Sequence, residues 1–445
     1  MKGNSADLRC WSWCLILASI AGMPVAVIGA PFSVNDASDY AINHSPILAS
    51  AKADADLENG VVEQVKAGLR PTVSATGTGN HQATEEFAYL GSIPVLNTQK
   101  DTLYAGLNGV LPIDISGEIH TAVSQAQFQA VAARCAVAAA RNQVVATTRA
   151  DYFEALRAEA LLVSAQEDLS NAQQQVRDTQ VQVDAGQMAK FQLERARTAV
   201  AAAQNDVLNS QQAADLALSL LRDVMGMNQT DALVLSDVDG PGVVSNPLPA
   251  PTSDGRPELL EAEAELEAAD KGFKLAKNSM RPTFRFSGNA GYSPGGTSFG
   301  QGINTAEISA SIVIPILDGG TTRAQTDQAA ATRESARLSL IAVKQQVDFE
   351  VQQATIRLRS AAAREPVAQA ALADAGDTYN LAKMRFVEGE GPQVEVTDAQ
   401  GALSQAELDL INAHWDCIVA RNAYLDAIGQ FAYASPSDAA TGRQP

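Results

Sequence analysis

The sequence predicts a fold dominated by α-helix with a β-barrel part. Long coiled-coil helical hairpins should build an α-barrel wall, and four bilayer-crossing strands per chain should sit at one end of it. The whole is laid out as an internal duplication. Three observations predict this: short motifs recur at fixed offsets, two very long stretches carry a helix-forming pattern, and paired ten-residue segments alternate apolar and polar residues.

The offsets come first. Ser45-Pro46-Ile47-Leu48 returns as Arg256-Pro257-Glu258-Leu259, and Leu69-Arg70-Pro71-Thr72 returns as Met280-Arg281-Pro282-Thr283, both 211 residues later. Pro112-Ile113-Asp114-Ile115-Ser116-Gly117 returns as Pro315-Ile316-Leu317-Asp318-Gly319-Gly320, 203 residues later. Gly186 with Gly389, Ala196 with Ala399 and Gly226 with Gly429 keep the 203 spacing. The first copy therefore carries eight extra residues between Pro71 and Pro112.

Residues 1–30 read as a secretory leader. Lys2 and Arg9 precede an apolar run, Cys10 to Ala21, followed by small residues up to Gly29-Ala30. That run is too short, and too broken by Pro24, for a membrane helix. Neither Cys10 nor Cys14 sits in a lipid-attachment pattern. The remainder divides into a first repeat (31–240), a linker (241–255), a second repeat (256–430) and a tail (431–445).

Each repeat opens with a helix, Val34 to Leu69 and Pro257 to Met280, closed by an Arg-Pro that cannot continue it. Strands follow. Thr305 to Leu317 places Ala306, Ile308, Ala310, Ile312 and Ile314 on one face and Glu307, Ser309 and Ser311 on the other. Phe284 to Tyr292 does the same with Phe284, Phe286, Ala290 and Tyr292. The first repeat has Val73 and Ala75, then Leu103, Ala105, Leu107 and Leu111. Ten residues suit a tilted strand across a bilayer; the same pattern also suits a half-buried hairpin in a soluble domain. No later stretch is long and apolar enough for a membrane helix.

The long helices run from Glu118 to Asp184 and from Thr321 to Glu388, each a rod of about 100 Å at roughly 1.5 Å per residue. Pro366 should kink the second. Turns at Gly186 and Gly389 send back helices about half as long, Phe191 to Val224 and Val394 to Ile428. Two short helices end to end match one rod, which predicts a two-layered helical wall. Four strands cannot close a barrel and lipid does not tolerate open edges, so closure needs other copies: eight strands in a dimer or twelve in a trimer.

Composition removes other classes. The 445 residues are 46% hydrophobic, too apolar for disorder. Lys+Arg 32 against Asp+Glu 51 gives −19, with no basic cluster, so no nucleic-acid partner is expected. Four cysteines without a CxxC pair, and four scattered histidines, argue against a disulfide scaffold or a metal site. Cys135 and Cys417 read as two small hydrophobes rather than a bridge. No GxSxG, HExxH or phosphate loop is present, so neither an enzyme nor a cofactor is expected.

The order helix, Pro, strand hairpin, Pro-x-x-x-Gly-Gly, long helix, Gly turn, short helix, given twice after a leader, resembles the outer-membrane efflux protein family (TolC-like). Ile314-Pro315-Ile316-Leu317-Asp318-Gly319-Gly320, Arg385-Phe386-Val387-Glu388-Gly389 and Val394-Glu395-Val396-Thr397-Asp398-Ala399-Gln400 carry the resemblance, which covers roughly residues 33–430. It implies a homotrimer with a twelve-stranded barrel among outer-membrane lipid and a helical tunnel through the periplasm. It implies an exit duct for small molecules, docked on a periplasmic adaptor and an inner-membrane transporter. A duct for protein secretion uses the same fold, and a non-conducting coiled-coil scaffold is the reading from another class.

The resemblance assigns the turns at Gly186 and Gly389 to the adaptor-docking tip. It assigns Glu395 and Asp398, i and i+3 on one helix face, to an acidic ring at the tunnel's narrowest point. The same acids would also favour a helix start without any pore. The first repeat has Gln192 and Arg195 in their places, so only the second repeat should build the ring. The family's polar tie at the closed tip is not carried over: Phe386 stands for an aromatic hydroxyl, Gly391 for an Arg and Gln192 for an Asp. Phe386 should hold the tip by packing.

Overall fold

The computed structural model describes residues 31–81, 87–96, 101–236, 255–294, 302–388 and 390–429. The leader and the tail lie outside these, as does nearly all of the linker.

Helices α1 (Val34–His44) and α2 (Pro46–Ala67) occupy the stretch expected to be one helix. Pro46 separates them. It has no N–H to give and disfavours helical geometry at Ser45, which is extended, while Pro46 itself is well suited to a first helical turn. Strands β1 (Thr72–His81) and β4 (Asp101–Ile113) follow, then α3 (Glu118–Asp184) and α4 (Lys190–Met225). The second half gives α5 (Pro257–Asn278), β5 (Thr283–Pro294), β6 (Gly302–Val313), α6 (Thr321–Val387) and α7 (Gln393–Ala427). α3 and α6 each span 67 residues. Helix α6 continues through Pro366. The eight extra residues of the first half belong to a feature the sequence reading missed, a small hairpin of β2 (Phe87–Leu90) and β3 (Ile93–Leu96) turned at Gly91, whose φ is 68°.

Both bounds of α5 are those of α2 plus 211, and both bounds of α6 are those of α3 plus 203. The strand registers agree: Thr72 faces Val110 and Thr283 faces Val313, and each partner is displaced by the same two offsets.

The main sheet has the order β1-β4-β5-β6, antiparallel throughout. Directly paired residues share a face. Phe284 faces Ile312, Phe286 faces Ala310, Leu111 faces Phe286 and Ala75 faces Leu107. One face is therefore apolar across all four strands, and it is uncovered: Val73 is 73% exposed, Ile308 76% and Ile312 56%. The opposite face is polar and internally bonded. Ser287 and Ser309 share a hydrogen bond (2.9 Å), and Asn108 Nδ2 donates to Thr76 Oγ1 (2.9 Å). Tyr104 covers Gly106 and Gly291 on that side, so a Cβ at either glycine would push its ring aside.

Below the sheet, α2, α3, α5 and α6 lie side by side; further down, α4, α3, α7 and α6 do. The long helices run through both levels and the short ones abut along them. Alanine dominates the contacts (Ala126, Ala130, Ala155, Ala361), which lets the helices approach closely. The largest core lies midway, around Tyr152, Leu221 and Met225. Tyr152 donates to the carbonyls of Phe32 (2.9 Å) or Ser236 (2.7 Å), tying the chain's beginning to the segment after α4. Asp114 caps α3 and Asp318 caps α6, accepting from His120 N (2.8 Å) and Thr322 N (2.7 Å) where each strand passes into its rod. Cys135 and Cys417 are unbridged.

Where α5 starts, Arg256 bonds Glu350 (2.7 Å) and Glu258 (3.1 Å) beside Asp426 of α7. Burial pushes the Asp426 carboxyl up from 3.8 to about 6; Arg256 opposes the rise, and Glu258 and Glu350 add to it. The folded state then holds its proton more tightly than the unfolded chain does. Stability from this group is present below pH 4 and is lost as pH climbs through 6. Asp426→Asn should flatten that slope and stabilise the protein at pH 7 by about 2 kcal/mol. Thermal unfolding of the detergent-extracted protein from pH 4 to 8 measures it. A variant less stable at neutral pH would show that Arg256 holds the carboxylate after all.

Candidate functional site

The end of the helical layer far from the sheet is made by two helical turns. The α3–α4 turn closes with Gly186 at φ 71°, in the left-handed region that glycine adopts without strain. Gly186 N donates to Val183 O (3.0 Å) and Gln187 N to Gln182 O (2.9 Å), which is the Schellman closure of a helix end. In the α6–α7 turn Glu390 N donates to Arg385 O (2.8 Å), the same six-to-one bond. Gly389 itself lies outside the described residues. Open space surrounds Gly186, so the turn is free to meet another surface.

Helix α7 begins just past the second turn, and its opening residues carry the sequence candidates. Val396 and Ala399 are buried against Ala382, with Phe386 and Tyr379 beside them. Phe386 is half-buried within its own hairpin. Glu395 and Asp398 project from the remaining sides of the helix; Glu395 is half-buried and Asp398 exposed. They stand in the first two turns, where the helix dipole favours carboxylates.

The sequence reading missed one partner. Arg385 Nη1 bonds Glu395 Oε2 at 2.9 Å across the turn. Gly391 makes room for this pair: a Cβ there would press Arg385 Cβ and Glu395 Oε2, both at 3.3 Å. The position where the family pattern has an arginine is thus emptied, and a different arginine reaches the acid. Both side chains are nearly half exposed, so in isolation the pair contributes under about 1 kcal/mol. No spacing rule links Arg385 to Glu395, because only the turn's geometry brings them together.

Gln192 and Arg195 do not join Glu395 and Asp398. They line a groove between α3, α4 and α7 with Thr179, Gln393 and Thr397. The long helix α3 is tied to α7 across this groove by Ser404 Oγ donating to Asp168 Oδ1 (2.7 Å), and higher up by Arg157 with Asp416 (3.4 Å). Among the described residues no group of three or more His, Cys, Asp and Glu is placed to hold a metal ion. No helix of those residues is long and apolar enough to cross a membrane.

A chain that carries a bare apolar β-sheet face on 67-residue helical rods matches known proteins. The outer membrane efflux protein family matches residues 37–227 and 250–430. The outer membrane efflux protein BepC of Brucella suis biovar 1 is 27% identical over 347 residues, covering 71% of this chain and 72% of its own. A probable efflux pump outer membrane protein of Pseudomonas putida, TtgC, is 24% identical over 78% of this chain and 72% of its own. The crystal structure of VceC from Vibrio cholerae shares the fold at a TM-score of 0.78, 20% identity, covering 89% of this chain and 96% of that one. The chain belongs to the outer membrane efflux protein family, and its place is the outer membrane.

Proposed function

We propose that three copies of this chain close a twelve-stranded barrel in the outer membrane and form the exit duct of a tripartite pump for small molecules. The observation that carries this is the sheet: one bare apolar face, one bonded polar face, and outer edges at β1 and β6 unpaired among the described residues. Lipid tolerates no such edges. With four strands alternating in direction, β6 of one copy runs antiparallel to β1 of the next, so copies close without a parallel seam.

In this reading residues 1–30 direct export and are removed. Residues 31–240 and 256–430 are duplicated units joined by 241–255, with 431–445 as a tail. The apolar face meets lipid, and the rods enclose a periplasmic passage. The turns at Gly186 and Gly389 meet a periplasmic adaptor, which joins the duct to an inner-membrane transporter. Glu395 and Asp398 of three copies ring the narrow end with six carboxylates, three of them drawn toward Arg385, and Phe386 packs that end. The chain binds, confines and passes its cargo and does no chemistry. The names of BepC and TtgC, both efflux proteins, favour small molecules over secreted protein as cargo. A scaffold would have no use for Ile308, Ile312, Phe284 and Phe286 on one bare face.

The test is the mass of the native assembly. Outer membranes are extracted in mild detergent and the protein's mass is read by light scattering. Three copies in the outer-membrane fraction are expected. A soluble monomer or dimer would end the barrel reading and leave a coiled-coil scaffold.

A further inference from the structure

The sheet's polar face is nearly without charge. Serine, threonine and asparagine fill most of its positions, and among the described residues of the four strands it carries two charged ones, Arg285 on β5 and Glu307 on β6. Arg285 is exposed, and no carboxylate among the described residues pairs with it. We propose that the Arg285 side chains of three copies form an anion-binding station at the periplasmic end of the barrel, which takes carboxylate-bearing cargo as it leaves the helical passage. This rests on the barrel reading and adds a binding role within it.

Alternation sets the direction of the side chain. Arg285 shares its face with Ser287 and Asn289, while Phe284 and Phe286 on either side of it belong to the bare apolar face. In a closed barrel the face opposite the lipid face lines the water. The height follows from the chain path. α5 ends at Asn278 and β5 begins at Thr283, so Arg285 stands where the barrel opens onto the rods. Symmetry puts its three copies at one height. Twelve strands about 4.8 Å apart, tilted by about 40°, enclose a barrel of roughly 12 Å radius. An arginine stem covers roughly half of that, so three guanidinium groups face one another across a narrow gap. Their mutual repulsion is relieved by an anion held between them.

The sheet itself offers no such relief. Ser311 and Pro112 lie directly opposite Arg285 on the neighbouring strands. Ser287 and Ser309 come next and bond each other (2.9 Å). Glu307 stands level with Asn289, four residues or roughly 13 Å farther along, and accepts from Asn289 Nδ2 (3.5 Å). Arginines near the rods are engaged instead: Arg281 with the Ser116 carbonyl, Arg70 with Glu63, Arg256 with Glu350. In a chain of net charge −19 an arginine left without an acid, facing water, is free for a ligand. Its guanidinium stays charged at any physiological pH and presents a planar fork that matches a carboxylate. The hydroxyls of Ser311 and Ser287 add neutral donors beside it.

The sign is opposite to that of the ring at the other end. Glu395 and Asp398 concentrate cations, whereas a ring of arginines holds anions. Cargo bearing both signs would meet a station for each in turn. The charge belongs to one repeat of the two: Ser74 faces Asn108 as Arg285 faces Ser311, so the barrel carries three such arginines.

The probe is tricarballylate, whose three carboxylates match three guanidinium groups. It is added on the strand side of the assembly in a planar bilayer bathed in potassium chloride. Interruptions of the single-channel current are expected with the acid and not with its uncharged trimethyl ester. Arg285→Gln should raise the concentration for half-block at least about tenfold, because each guanidinium removed takes charge-assisted hydrogen bonds with it. Block by trivalent cations from the helical side should stay as it is. Ser74→Arg in the Arg285→Gln chain returns a guanidinium to the same height in the other repeat and should restore the block. Ser74→Arg alone should strengthen it, which tests the station without removing Arg285. Equal block of the Arg285→Gln and unmodified chains, a Ser74→Arg chain blocked no better, or block by the ester would each overturn the station. A conducting trimer that tricarballylate never interrupts would overturn it as well, and leave the duct standing. An unmodified assembly that is no trimer, or passes no current, would instead sink the barrel reading beneath it.

Discussion

A lysine at Ile308 should keep the protein out of the outer membrane. Ile308 stands midway along β6 on the sheet's bare side, opposite Gly288, and the apolar run continues on either hand through Ala306 and Ala310. A charge facing lipid near the midplane costs roughly 2–4 kcal/mol, and a closed trimer carries it three times. Membrane fractions should hold little of the Ile308→Lys protein, and no trimer that resists mild detergent. Ser309→Lys, on the other face beside Ser287, should insert as the unmodified chain does. Normal insertion of Ile308→Lys with failure of Ser309→Lys would mean that the polar side faces lipid.

Removing the carboxylates of Glu395 and Asp398 together should raise the conductance of the assembly and abolish block by divalent and trivalent cations. Rings of acids at a constriction concentrate cations and hold multivalent ones longest. Arg385 sits 2.9 Å from Glu395, so Arg385→Ala should act in the opposite sense and strengthen the block. The double variant Glu395→Gln with Asp398→Asn, recorded in planar bilayers with a trivalent ion on the helical side, provides the measurement. Undiminished block would move the constriction elsewhere.

Much of the fold was legible because its signals are long. α3 ends where the Ala- and Gln-rich pattern ends, at Asp184, and α6 starts at Thr321, directly after Gly320. Local chemistry sets both: Gly186 in left-handed geometry closes α3, and Gly320 in the same geometry, with the Asp318 cap beside it, opens α6. The strand faces were legible because alternation over ten residues fixes them. The break at Pro46 was not, since proline suits a first helical turn as readily as it ends a helix. Nor was the hairpin from Phe87 to Leu96, two four-residue strands with no clear alternation. β6 stops short of its sequence pattern for want of a neighbour. At the tip, the first turns of α7 placed Glu395 and Asp398 near one another, and Phe386 was found in the packing. The Arg385 pair was out of reach, because it depends on how tightly the turn folds around Gly391.

Closed as proposed, an assembly of this chain encloses a continuous water path. Single-channel recording of the purified native assembly in a planar lipid bilayer tests it most directly. Discrete, cation-preferring conductance steps, blocked by multivalent cations from one side only, are the predicted result. Correctly inserted trimers that pass no current at any voltage, with or without the carboxylates of Glu395 and Asp398, would contradict it.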